Sequence, residues 1–387
     1  MKAFKIKNGL QASRYLLSST TISGSTIDLS LGSMFSTTLS SDPAYTFTNP
    51  PASGVAQAFS LEVAGGSTTF TNDDYATTLY TGNGSTQTIT TGLDIPGDGG
   101  LIWIKNRSIA SDHILIDSER GMATAGTGLL SSNTNSGSNS FSNYFNGTST
   151  GFTLLHSGND TNNNTNQYAA RSFKKKAKFF DMVTYSGNST MGRTVSHSFG
   201  STPGLVIIKS TTKTDGWYVI HKDSELLGLS STQGNYPAST TADYFGDGTN
   251  TVRPTSTTIT VGQDAGINGT GEDYIAYIFG HDTADDSLIK CGIYTGAAGG
   301  VDIDLGWQPQ FLLVKKTSGL SDWAVMDTAR GLTETANPKD LPANKNEAEG
   351  EVGKIRGASN GFRFNSDSGD AGDTYIYMAI RATAATD

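Results

Sequence analysis

Short apolar runs recur along the chain at an even spacing, each closed by a lysine and set between polar, glycine-rich stretches. Leu101-Ile102-Trp103-Ile104-Lys105, Leu205-Val206-Ile207-Ile208-Lys209 and Phe311-Leu312-Leu313-Val314-Lys315 place their lysines 104 and 106 residues apart. Runs this short, bounded by turn residues, predict strands buried on both faces in a sandwich core. A polar turn and a second strand follow each: His113-Ile114-Leu115-Ile116-Asp117, Trp217-Tyr218-Val219-Ile220-His221 and Trp323-Ala324-Val325-Met326-Asp327. Each pair predicts an antiparallel hairpin.

The same period extends outward from the hairpins. Tyr80-Thr81-Gly82, Tyr185-Ser186-Gly187 and Tyr294-Thr295-Gly296 open the copies, their tyrosines 105 and 109 residues apart. Tyr168-Ala169-Ala170-Arg171, Tyr274-Ile275-Ala276-Tyr277 and Tyr375-Ile376-Tyr377-Met378-Ala379 close them, and their alternation predicts a half-buried strand. Midway, Asn143-Tyr144-Phe145 matches Asp243-Tyr244-Phe245 at a spacing of 100, and Gly151-Phe152 matches Gly361-Phe362. The third copy diverges there through an acidic stretch, Lys345 to Glu351, that reads as helical. Self-similarity of this kind divides the chain into repeats at 75–178, 179–284 and 285–387.

Ahead of the repeats, Thr26-Ile27-Asp28-Leu29, Met34-Phe35-Ser36-Thr37, Ala44-Tyr45-Thr46-Phe47 and Ala58 to Val63 read as four short strands. Asn49-Pro50-Pro51 interrupts pairing between the last two, because proline lacks the N–H a ladder needs. Residues 1–66 are marginal as an isolated core, so they read as an attachment or oligomerisation domain packed on another subunit or protein. The expected class is all-β: a short N-terminal β domain followed by three tandem antiparallel β-sandwich repeats.

Composition agrees with that class. Among 387 residues there are 46 glycines, 10 prolines and only 16% charged side chains, which favours turns and short strands over helices. Polar stretches such as Ser131 to Ser142 lack apolar surface and read as loops; the run Lys174-Lys175-Lys176-Ala177-Lys178 reads as a solvated linker. A net charge of −9 offers no basic groove for nucleic acid. Cys291 is alone, which leaves no internal disulfide framework. The N-terminus lacks the apolar core of a signal peptide, and no segment approaches the ~20 apolar residues of a membrane helix, so a soluble chain without membrane insertion is expected.

Candidate chemistry is sparse. His113, His156, His197, His221 and His281 occur singly, without metal-ligand spacing, and read as surface or strand-end residues. Neither a nucleophile elbow nor a phosphate-binding loop is present. Asp117, Glu119, Asp223, Glu225 and Asp327 recur at the end of the second strand, where a glycosidase would need paired acids, but a position copied three times reads as scaffold and no enzyme is expected. Oxygen-rich turns before the closing strands (Asn159-Asp160 to Asn164, Asp264 with Asn268, and Asp367, Asp370 and Asp373) could ligate calcium, or serve as Asx turns.

The tyrosine-glycine opening, the lysine-terminated strand, the Trp-x-Val strand and the closing Tyr-Ile-Ala-Tyr together resemble a repeated β-sandwich domain of uncharacterised function in virion proteins of marine tailed bacteriophages, over Tyr75 to Arg381. Ile27-Asp28-Leu29-Ser30, Tyr45 to Gly54 and Phe59 to Val63 resemble the opening domain of the same proteins. The resemblance implies a jelly-roll or lectin-like sandwich on the virion surface, and it supplies no catalytic residue. On that basis the expected role is a tail-fibre or receptor-binding protein, a homotrimer docked by its N-terminal domain on a tail adaptor or hub, whose repeats meet a host surface glycan or protein. The alternatives are a capsid decoration or cement protein and, third, a polysaccharide-degrading tailspike. Trp217, Tyr236, Tyr244 and Trp323 are candidate glycan contacts, against a competing core role for both tryptophans.

Overall fold

A computed structural model of the chain describes residues 20–21, 26–28, 34–38, 46–48, 60–64, 74–122, 128–140, 144–284, 287–351, 353–365 and 369–382. It divides into two compact units, Met1–Thr69 and Phe70–Asp387. In the first unit the described segments are short strands: Thr20–Thr21, Thr26–Asp28, Met34–Thr38, Thr46–Thr48 and Ser60–Ala64. Every pairing among them is parallel, and successive strands alternate between a three-stranded and a two-stranded sheet. The Asn49-Pro50-Pro51 break lies outside the described residues.

In the second unit one sheet order appears three times. Each large sheet runs opening strand, closing strand, lysine strand, acid strand, all antiparallel. In the first copy these are Tyr75–Thr81, Gln167–Lys174, Gly100–Asn106 and Ile114–Asp117. In the second they are Phe180–Ser186, Asp273–Phe279, Leu205–Ser210 and Trp217–His221, extended by Leu227–Gly228. In the third they are Ile289–Thr295, Thr374–Arg381, Pro309–Lys316 and Trp323–Asp327. The expected hairpin is present in each, with Ile104 opposite Ile114, Ile208 opposite Tyr218 and Val314 opposite Ala324. A smaller antiparallel sheet accompanies each large one: Gln87–Thr90, Gly151–Leu154 and Phe145–Thr148; Arg193–Ser196 with Thr258–Val261; Val301–Asp304, Gly361–Phe364 and Ile355–Ala358.

Side-chain alternation explains why the lysine strands are apolar throughout. Ile102 and Ile104, Val206 and Ile208, and Leu312 and Val314 enter separate clusters shared with their own small sheets. Leu101 and Trp103, Leu205 and Ile207, and Phe311 and Leu313 point the other way into one cluster common to all three copies. Both faces are therefore buried, one inside a copy and one between copies. The closing strands share this position between two neighbours; from Tyr168, Tyr274 and Tyr375 onward they are mostly buried on both faces, and not half-buried as their alternation predicts.

The Tyr-x-Gly openings gain a physical reason. Tyr80, Tyr185 and Tyr294 lie directly opposite Tyr168, Tyr274 and Tyr375, with rings stacked at 5.0, 5.2 and 5.1 Å. Two residues on, a Cβ at Gly82, Gly187 or Gly296 would collide with the carbonyl oxygen of Asn163, Gly269 or Asp370 in the turn before the closing strand. Only glycine permits that approach. The closing tyrosines peg the same turn: Asn163 and Gly269 amides donate to the Tyr168 and Tyr274 hydroxyls at 2.8 Å.

Candidate functional site

The three lysines that close the apolar strands are buried, and each reaches out of its own copy. Lys209 Nζ donates to the Asn135 carbonyl of the first copy at 3.2 Å, Lys315 Nζ to Thr232 of the second at 2.8 Å, and Lys105 Nζ to Asn346 of the third at 3.4 Å. The backbone amide six residues after each lysine bonds the same carbonyl: Asp215 to Asn135, Ser321 to Thr232 and Ser111 to Asn346, at 2.7, 2.9 and 2.7 Å. Second to first, third to second, first to third: the cycle closes. Burial, the leading cause in each, lowers all three lysines to about 8.

The accepting carbonyls sit on polar loops that act as straps. Residues 131–138, within the low-complexity stretch, lie along the second copy, where Ser138 N donates to the Thr211 carbonyl at 2.7 Å. The stretch from Lys345 to Glu351 is extended, not helical, and Glu349 N donates to Arg107 O at 3.0 Å while its carboxylate takes the Arg107 guanidinium in two bonds. Helix formation loses here because the backbone groups are committed to another copy. The Lys174-Lys175-Lys176 run is likewise no bare linker: its ammonium groups pair with Asp98, with Glu119 and Asp181, and with Asp74.

The aromatic and acidic positions follow the same cycle. Trp217 and Trp323 are buried, which corrects their candidacy as surface ligand contacts; their indole N–H groups donate to Ser131 and Thr134 carbonyls and to the Gly228 carbonyl of the neighbouring copy. His113 takes the corresponding place in the first copy. It accepts from Trp103 Nε1 at Nδ1 and donates from Nε2 to Pro342 O of the third copy, a pattern that requires the neutral ring. Burial accordingly pushes its pKa well down. His221 is held alike between the Asp223 amide and the Tyr377 carbonyl. Both stand at strand ends, as the sequence allowed, His113 just before Ile114–Asp117 and His221 closing Trp217–His221, but both are buried and not at the surface.

Of the recurring acids, Asp117 and Asp327 are fully buried. Arg120 and the Tyr277 hydroxyl of the second copy hold Asp117; Arg330 and Arg171 of the first copy hold Asp327. Glu119 pairs with Lys175, Asp223 with Lys222 and Glu225 with Arg253. Within the oxygen-rich turns, Asp264 caps the short helix Ala265–Asn268, Asn162 and Asn268 tie loops through their side chains, Asp160 accepts from Ser111, and Asp373 pairs with Lys316. Asp367 lies outside the described residues. Among the described residues no group of three or more His, Cys, Asp or Glu is gathered as a metal site.

One difference among the copies lies at the end of the small sheets. Tyr144, Tyr244 and Lys354 are equivalent, because their carbonyls accept from the amides of Leu155, Gly262 and Asn365 just beyond the paired strand. The facing position on the acid strand is Ile114, Tyr218 and Ala324. In the second copy Tyr218 and Tyr244 pack at 4.6 Å, half-buried, and Tyr218 donates to Asp215 at 2.5 Å. Burial and that carboxylate raise the Tyr218 pKa, and burial pushes Tyr244 up to about 12. Burial opposes ionisation of Asp215, but bonds from Lys213, Tyr218 and the Gly216 amide outweigh it and keep its carboxyl below the usual range. Tyr244 ends the helix Ala238–Tyr244, an element the sequence reading missed although Pro237 stands at its start. Tyr236, also half-buried, packs on the same cluster.

In the third copy, alanine and lysine replace that tyrosine pair and a cavity of about 330 Å³ opens. Val314, Ala324, Ile355, Phe364 and Tyr375 form its apolar floor, Lys316, Asp322, Lys354 and Asp370 its rim, and Leu320 stands at its mouth, 70% exposed. Lys354 pairs with Asp370 at 2.6 Å, Lys316 with Asp373 at 2.5 Å and Lys345 with Asp322 at 2.9 Å.

The model of a domain of unknown function, DUF7483, matches residues 71–383 as one continuous span. The chain belongs to the DUF7483 family. That span coincides with the second compact unit, so the DUF7483 domain comprises all three sheet pairs with their shared core. No curated protein matches the chain.

Proposed function

We propose that this DUF7483 protein is a non-enzymatic structural protein of a bacteriophage virion, a tail-fibre or receptor-binding protein whose N-terminal segment attaches and whose three tandem sandwich repeats are displayed toward a host surface. The virion location rests on the resemblance of the repeated motifs. The observation that carries a binding role is the contrast among the copies: their lysines, strap carbonyls and tyrosine-glycine turns are spent on sealing the scaffold, while the Tyr218/Tyr244 position varies and in one copy opens a cavity. Loops that vary on a fixed frame are where binding specificity resides.

The non-enzymatic reading is supported by the fate of the recurring acids, since Asp117 and Asp327 are buried in ion pairs and face no cleft. For the N-terminal segment, strands of two to five residues in parallel pairs are shorter than an independently stable sheet ordinarily uses, which supports attachment or trimer formation. The test is imaging of particles carrying a label fused to this chain, together with binding of the purified protein to host cells. Label at the tail and saturable cell binding are the expected results; label across the capsid lattice would replace this reading with a decoration protein.

A further inference from the structure

We propose that the third-copy cavity binds an uncharged saccharide that carries a methyl-bearing substituent, such as an acetamido or 6-deoxy group. The inference rests on the reading of the molecule as a displayed binder and names the ligand class of the third copy's cavity.

The cavity's size, about 330 Å³, is that of a small-molecule site, and its apolar floor under a polar rim is the usual composition of one. Substituting Ala324 for the tyrosine of the second copy leaves the floor lined by Val314, Ile355 and Phe364, where a methyl group would be sheltered from water. The rim offers ammonium donors and carboxylate acceptors that are already matched to one another, as Lys354 with Asp370 and Asp322 with Lys345. Such a rim presents hydrogen-bonding groups whose charges already compensate one another, so an ionic ligand finds no unpaired counter-charge there. Hydroxyl groups, which donate and accept, need no such exchange. Leu320 stands exposed at the mouth, positioned to cover the C–H face of a pyranose.

Ligand-observed saturation-transfer NMR and calorimetry on the intact chain test the proposal, with N-acetylglucosamine and fucose as neutral probes and glucosamine and N-acetylneuraminate as charged ones. Neutral probes should bind and charged ones should not. Ala324→Tyr installs the residue the second copy already holds there, and should weaken binding by about tenfold or more with an unchanged thermal midpoint. Leu320→Ala, at an exposed position that cannot threaten folding, should weaken it severalfold. Absence of transfer to either neutral probe, equal binding of the charged ones, or parental affinity in both variants would overturn the proposal. Host adsorption is read separately: saccharide binding abolished by Ala324→Tyr, with particles that still adsorb normally, leaves this site standing and removes it from the adhesion reading.

Discussion

Arg171 Nε of the first copy lies 3.3 Å from Asp327 Oδ2 of the third, and both side chains are fully buried. Arg330 donates to the same oxygen at 2.8 Å. One carboxylate is thus shared by two guanidinium groups where the first and third copies meet, and Arg330 also reaches Glu349 at 3.4 Å. Asp327→Asn leaves the buried Arg171 guanidinium without its carboxylate and Arg330 with Glu349 alone, and should cost roughly 3–5 kcal/mol in urea denaturation. Arg171→Met leaves Asp327 paired with Arg330 and should cost far less, about 1 kcal/mol. Equal losses in the two variants would show that the carboxylate is not shared as the distances imply.

The glycine of each opening motif is a steric requirement and not a flexible joint. Gly187→Ala drives a Cβ into the Gly269 carbonyl, and should lower stability by about 2 kcal/mol or more. Gly350→Ala meets nothing within 4 Å and serves as the control, expected within ~0.5 kcal/mol of the parent. The difference in thermal midpoint between the two variants is the measurement.

Much of this was readable from periodicity. Tyr80 and Tyr168, named as opening and closing residues for their recurrence, are cross-strand partners, and the two-faced burial of Leu101 to Lys105 followed from an unbroken apolar run. What the second face packs against was not readable, because a strand shows that it is buried without showing by what. Trp217 and Trp323 illustrate the limit: aromatic residues next to polar turns look the same whether the neighbouring element is solvent or another copy. The straps were missed for the opposite reason. Residues 131–138 bond the second copy mainly through backbone groups, which leave no side-chain signature. The third-copy cavity was legible only by aligning Ala324 with Tyr218 and Lys354 with Tyr244, and the latter match needs the carbonyl bonds that the structure supplies.

Lys315 tests whether the straps seal the domain. Its ammonium donates to Thr232 O of the second copy and to Ser321 O, and the Ser321 amide shares the Thr232 carbonyl. Lys315→Met keeps the length and removes the donors, leaving the Ser321 carbonyl without its donor at about 1–3 kcal/mol while the Thr232 carbonyl keeps the Ser321 amide. Hydrogen exchange at the Ser321 amide should accelerate more than at the amides of Ile293 and Tyr294 in the opening strand. A uniform acceleration would mean that the lysine acts through global stability alone.

Acid should weaken the junctions before it weakens the sheets. Burial, outweighing the opposing pull of Asp223, lowers the His221 pKa to about 4, and His113 moves the same way. A histidine whose folded pKa lies below its unfolded value of about 6.5 is taken up by protons first in the unfolded chain. Its contribution is therefore intact above pH ~6.5 and is lost as pH falls toward 4, by up to roughly 3 kcal/mol for His221. Asp340 works against this: burial raises it to about 6, so the folded state binds its proton first and gains stability between pH ~6 and 4. Burial lowers His197 and His281 as well, and four histidines against one carboxyl leave a net loss. Thermal midpoints measured from pH 7 to 4.5 should fall, and His221→Gln, which cannot titrate, should flatten that slope whatever it does to the midpoint at neutral pH. A slope unchanged by His221→Gln would place the acid sensitivity elsewhere in the domain.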